Sequence, residues 1–349
     1  MKENKQYRAF TLRTLQPKQA KDKVCFVDNR PENLRQVRQI KAIHSSRPIQ
    51  LYTEEGGFQD DKVVNFLMSE DYLDGSESPF KWDPFILYPP YFKPAMEYLD
   101  SCVGKQPLLQ IGEWYSKDEF TEDVISRIKN PELIDQERTS TCGVTAILSL
   151  QADRRPDKFV KNITDLYYEG KLEGKSFNPT RFSRGDGDEA RNGLANIDWL
   201  YIVFFRSKTN AIWPYNGGTC CLNAYTLPST IPGWMEKELE TTDATNYHLY
   251  GEGAWSKLLQ VADGVSDSTA IVLYVNADGY APPKYGEYEP GCGFEFAHHF
   301  VAVTDVKKVD DDTLRLQYYN WGEKCVKNFS KAQIKKFTWR MTIGHIKST

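Results

Sequence analysis

DQERTSTCGVTAILSL, residues 135–150, sets a single cysteine, Cys142, between a run of small hydroxyl residues and an apolar segment at helical spacing. Ser140 and Thr141 can cap a helix there, and Val144, Ile147, Leu148 and Leu150 form its buried stripe. A cysteine on the first turn meets the positive end of the helix dipole and unpaired N–H groups. Both favour the thiolate, the form that attacks carbonyls, so a lowered pKa is expected. Gln136, six residues before Cys142, carries a carboxamide that can join the Cys142 N–H in donating to a tetrahedral oxyanion, although a surface glutamine would read the same way.

Partners for the sulfur lie downstream. FEFAHHFVAVTDV, residues 294–306, reads as a strand whose alternation puts His299 on the face of Val301, Val303 and Asp305, and His298 on that of Phe300 and Ala302. The chain has five histidines, and either of these two can be the base. LRLQYYNWG, residues 314–322, is a second strand ending in Asn320, Trp321 and Gly322. The Asn320 amide oxygen can accept an imidazole N–H, and an indole can shield that bond from water.

Around these segments the pattern predicts helices at 142–153, 156–170 and 252–262, and a helix-to-strand segment at 188–206. A loop follows at 207–230, and strands at 269–276, 297–306 and 313–321. Helices first and strands afterwards is an α+β order. The loop NADGYAPPKYGEYEPGCG, residues 276–293, is either plain surface or a wall of the cleft.

A glutamine six residues before Cys-Gly, then H-x-V-x-V, then N-W-G resembles the papain-like cysteine peptidases over roughly residues 130–325. The resemblance implies an α+β papain-like fold with the catalytic helix packed on an antiparallel sheet. It makes Gln136 the oxyanion donor, Cys142 the nucleophile, His299 the base and acid, and Asn320 the orienting residue. His299 lies 157 positions after Cys142 and Asn320 lies 178, beyond the roughly 130–150 of well-known members, which an insertion at 207–230 would explain. ERTST before the cysteine and Val144 after Cys-Gly depart from the family pattern. So does Asn320 standing next to Trp321, where the family has one residue between them.

The first 50 residues carry twelve Lys and Arg against four Asp and Glu, while the whole chain is at −4, so a separate basic leader is expected. Within it, Leu34, Val37, Ile40 and Ile43 recur at helical spacing up to Pro48. FVDNRPE, LRQ and PIQL, within residues 25–51, resemble the short N-terminal segment of bacterial polymorphic toxins and effectors loaded into contractile injection systems. The organisation expected is a leader at 1–51, a segment of unassigned role at 52–125 and the peptidase-like domain at 126–349. A bacterial effector made in the cytoplasm, exported by a non-Sec injection system and active in a target cell follows from that resemblance. Its partners would be a peptide, protein or peptidoglycan substrate and, through residues 25–51, an injection-system component.

Several classes are disfavoured. The seven cysteines form neither a C-x-x-C pair nor a zinc ladder, so a reducing compartment is expected, with Cys220 and Cys221 as buried thiols. No apolar run reaches the ~18–20 residues that span a bilayer, and the N-terminal residues lack a secretory h-region. RGDGDEARNG, residues 184–193, lacks EF-hand spacing. The basic arm has no aromatic interleaving for nucleic acid. No cofactor or metal is expected. Hydrolysis of a peptide or amide bond is the function expected. The same four residues would also serve a transglutaminase- or deamidase-like acyl transfer, and a degenerate peptidase fold would leave a binding module.

Overall fold

The computed structural model describes residues 91–137, 139–178, 194–210, 226–249, 251–281 and 299–347. The leader helix, residues 52–90, Cys25, the 184–193 stretch, Cys220, Cys221, Cys292, His298 and all but the first six residues of the 276–293 loop lie outside them.

A six-stranded antiparallel sheet organises the described residues, with helices against both faces. Its strands are β3 (Thr241–His248), β4 (Thr269–Val275), β5 (His299–Lys308), β6 (Thr313–Asn320), β7 (Glu323–Ser330) and β8 (Thr338–Ile346), in the order β3-β8-β4-β5-β6-β7. The pair β1 (Lys171–Leu172) and β2 (Lys175–Ser176) forms a separate small hairpin. The α+β class expected from element order is therefore observed.

Alternation along the central strands divides two cores. Ala270 and Val272 of β4, with Phe300 and Ala302 of β5, face one core, while Ile271, Leu273, Val301 and Val303 face the other. Because both faces are covered, β4 reads TAIVLYV, a nearly continuous apolar run. The first core is filled by α1 (Phe92–Asp100), α3 (Lys117–Lys129), α4 (Cys142–Arg154), α5 (Pro156–Glu169), α6 (Asn196–Thr209) and α7 (Ile231–Glu238); α2 (Leu109–Gly112) adds Ile111. The second lies beneath α8 (Glu252–Val261) and α10 (Lys331–Phe337), with the short α9 (Ala277–Tyr280) contributing Tyr280.

Helices α4, α5 and α8 and strands β4, β5 and β6 fall within a few residues of the bounds expected. The segment at 188–206 differs. Its described part is one helix, α6, with no strand, and Ile197–Ser207 are all buried. An apolar run that is buried all round has no readable period, so periodicity could not separate helix from strand. Helix α4 is likewise buried on every side from Gly143 to Ala152, where only a stripe was expected. Helix α3 runs across the 125/126 boundary drawn from sequence, and its Phe120 and Val124 share the core of α4. No helix among the described residues is long and apolar enough to cross a membrane.

Candidate active site

Helix α4 starts at Cys142 without a side-chain cap. The Thr141 hydroxyl, expected to cap it, instead pairs with the Thr139 hydroxyl at 2.6 Å. First-turn N–H groups without a cap need other partners. Those of Cys142 and Gly143, joined by the Phe300 N–H of β5, bear on the sulfur and pull its pKa down. Burial opposes them and wins: it pushes the thiol up to about 11. This reverses the lowered pKa expected from the helix start alone. Cys142 as a whole is half-buried, yet its sulfur is desolvated by the α4–β5 packing, and at neutral pH it rests as a thiol.

Gly143 is set by a close approach. A Cβ there would lie 2.6 Å from Thr226 Cβ and Cγ2, closer than real side chains pack, so no larger residue fits beside Cys142 unless Thr226 moves.

His299 opens β5 and is buried at 4% exposure. Its Nε2 lies 2.6 Å from Asn320 Oδ1 at the end of β6. The Asn320 amide is oriented by its other side, because Nδ2 donates to the main-chain carbonyl of Tyr280 at 3.0 Å. A carbonyl only accepts, so the amide nitrogen must face Tyr280 and the oxygen must face the imidazole. The hydrogen on His299 is thereby assigned to Nε2, and Nδ1 is the basic nitrogen. Tyr318 also donates to the Tyr280 carbonyl, at 3.0 Å, and stiffens the same anchor.

Asn320 and Glu323 pair across the β6–β7 hairpin, leaving Trp321 and Gly322 as its two-residue turn. Both have positive φ, 45° and 69°, the requirement of a type I′ turn. That conformation suits glycine but is uncommon for tryptophan. Its indole stacks on the His299 ring, with centroids 4.2 Å apart and planes 14° from parallel. Adjacency of Asn320 and Trp321, the departure noted from the family pattern, therefore still brings an indole over the imidazole.

Asp305 does not share the His299 face as the alternation implied. The β5–β6 register shifts between Val303 and Asp305, so Val306, not Asp305, returns to the second core. Asp305 is partly exposed, 3.7 Å from Lys307 Nζ.

Gln136 closes the arrangement. It is 6% exposed, its main-chain carbonyl accepts from the Thr139 amide at 2.9 Å and hydroxyl at 2.7 Å, and its side-chain Oε1 is buried without a hydrogen-bond partner. The preceding Asp135 lies against the hairpin tip: a Cβ on Gly322 would sit 2.7 Å from Asp135 Oδ2. Gln136, Cys142, His299, Asn320 and Trp321 line one narrow cleft, with Ile134, Ala146, Phe300 and Tyr319 adding apolar wall. Thus the four residues singled out in the sequence meet at a single cleft. Tyr280, Thr226 and Asp135 were missed. Their roles rest on a main-chain carbonyl and two close approaches, none of which leaves a residue-type signal. Among the described residues, no cluster of His, Cys, Asp and Glu could hold a metal ion.

No protein-family model, curated protein or solved structure matches this chain.

Proposed function

We propose that this chain is a thiol-dependent hydrolase of amide bonds, with a papain-like arrangement of Cys142, His299, Asn320 and Gln136. The observation that carries it is the pairing of His299 Nε2 with Asn320 Oδ1 at 2.6 Å beside the cysteine that starts α4. With Nε2 engaged, proton exchange with the sulfur falls to Nδ1. His299 takes the thiol proton as Cys142 attacks the carbonyl carbon, and the oxyanion forms between the Cys142 N–H and the Gln136 amide. The C–N bond breaks as His299 returns the proton to the leaving nitrogen. Water then adds to the thioester with His299 as base, the C–S bond breaks, and the thiol is restored.

A buried thiol is a poor nucleophile until its proton is removed, so the imidazole has to do more here than where a thiolate is preformed. Alkylation at mildly acidic pH tests this. Cys142 should react faster than free cysteine in the native protein and slower than free cysteine in His299→Ala. Equal, slow reaction of both proteins would favour a binding module.

The bacterial effector reading rests on residues 25–51 alone. Deleting residues 1–51 should leave the thiol chemistry intact and abolish loading into a contractile injection system; unchanged loading would refute it.

A further inference from the structure

We infer that Asp135 is a positioning residue: its carboxylate seats the β6–β7 turn that carries Trp321, and through that turn it sets the ring of His299. The inference rests on the thiol-hydrolase reading above for the task of His299, and it adds a positioning group to that site.

Trp321 is held at φ 45°, a left-handed conformation that a tryptophan keeps only where its surroundings over-determine it. Two fixed points flank it. On the Asn320 side, Nδ2 donates to the Tyr280 carbonyl at 3.0 Å. On the Gly322 side the fixed point is Asp135. A Cβ on Gly322 would lie 2.7 Å from Asp135 Oδ2 and 3.2 Å from its Cγ, so the carboxylate fills the space that a side chain there would take.

Asp135 is itself fixed. Its Oδ1 accepts the Glu137 amide at 2.8 Å, the turn by which an aspartate folds its own backbone, while Oδ2 is the oxygen against the hairpin. Its neighbours Ile134 and Gln136 are buried at 3% and 6% exposure, and Ile134 packs in the core of α4, so the segment is anchored. With both ends of the turn gripped, the indole is laid on the imidazole, 4.2 Å between centroids and 14° from parallel. Asn320 fixes where Nε2 lies; the stacked indole fixes the plane of the ring and hence the direction of Nδ1. Asp135 thus reaches the base through one two-residue turn. Its shape, more than its charge, serves that role.

The test follows the full-length protein, labelled in its histidine rings, by NMR, with iodoacetamide alkylation of Cys142 at mildly acidic pH in parallel. A stacked indole displaces the His299 ring-proton signals upfield, and Trp321→Asn, which removes the displacement, assigns them. Asp135→Ser keeps an acceptor for the Glu137 amide but vacates the space at Gly322. It should lose most of the displacement and slow alkylation about 10-fold. Asp135→Asn restores both acceptor and bulk without the charge, so it should rescue both readouts, which separates placement from electrostatics. If Asp135→Ser does not fold, Asp135→Glu carries the same expectation, because its longer arm drives the carboxylate into Gly322. An unchanged ring shift in Asp135→Ser, or an equally large change in Asp135→Asn, would overturn this inference and leave the hydrolase reading standing. Native Cys142 that alkylates no faster than free cysteine would overturn the hydrolase reading, while the ring shift still decides what Asp135 holds.

Discussion

The Asn320 side chain joins two elements that sequence places far apart: Oδ1 is 2.6 Å from His299 Nε2, and Nδ2 is 3.0 Å from the Tyr280 carbonyl. The histidine is thus held as its Nε2–H tautomer. Asn320→Ala removes the acceptor and leaves the Tyr280 carbonyl to Tyr318. A fall of roughly 10²-fold in turnover is expected, with a stability loss of only about 1–2 kcal/mol. Tyr318→Phe should be much milder, because Asn320 still pairs with Tyr280. Equal effects of the two changes would mean that Asn320 acts only in packing.

The thiol of Cys142 is the second testable point. Burial holds it up to about 11, so the thiolate is populated only as pH approaches that value when no base assists. In His299→Ala the alkylation rate should climb steadily through pH 9 and level off near 11. In the native protein it should already be appreciable below neutrality. Superimposable pH profiles would separate the imidazole from the sulfur.

Gly143 and Thr226 should behave as one packing unit. Gly143→Ala puts a methyl group 2.6 Å from Thr226 carbons beside Cys142, and a loss of about 1–3 kcal/mol is expected from overpacking. Thr226→Gly removes the clashing atoms, so the double variant should regain part of that loss in a thermal or urea melt. Additive losses would contradict the contact.

At the hairpin tip, Trp321→Asn is expected to relax the turn while uncovering the imidazole. Asparagine tolerates the left-handed conformation that Trp321 adopts at φ 45°. Stability should therefore hold within about 1 kcal/mol, while turnover falls as His299 loses the stacked indole that covers its bond to Asn320. Gly322→Ala should do the reverse and lower stability, with φ at 69° and Asp135 Oδ2 2.7 Å from the new methyl group. A parallel loss of stability and activity in Trp321→Asn would give the indole a purely structural role.

Away from the cleft, Glu238 is fully buried between Lys208, at 2.9 Å, and Gln151 of α4. Burial, reinforced by the neighbouring Glu173, raises its carboxyl to about 7. A carboxyl whose folded pKa is raised contributes stability that is complete below its unfolded pKa and fades as pH rises through the folded one. Folding stability should thus decline between about pH 4.5 and 7, by roughly 1–3 kcal/mol from this group. Glu238→Gln, which keeps a donor toward Glu173, should flatten that part of the curve. An unchanged slope in Glu238→Gln would place the effect elsewhere.

Much of the architecture was legible because periodicity and capping act locally. Pro156 at the start of α5 and alternation along β5 placed those elements directly. Strands β3, β7 and β8 carried weaker signals. In β3, TTDATNYH is mostly exposed and is irregular near Asp243, so no apolar alternation advertises it. The span 52–125 was expected only as a segment of unassigned role, although α1 and α3 within its described part bury Met96, Leu99, Phe120 and Val124 in the core of α4.

For the site, the amino-acid sequence by itself determined which groups could react: a cysteine at a helix start, a histidine opening a strand, an asparagine ending another and a glutamine upstream. Residue chemistry and local periodicity are properties of short segments, so they survive without a fold. Only the tertiary structure decided the tautomer of His299, the upward shift of the Cys142 thiol, the need for glycine at 143 and the unfilled acceptor on Gln136. Each depends on what approaches from a distant part of the chain, a carbonyl at Tyr280, a strand at Phe300 or a methyl group on Thr226, and on how much water that approach excludes.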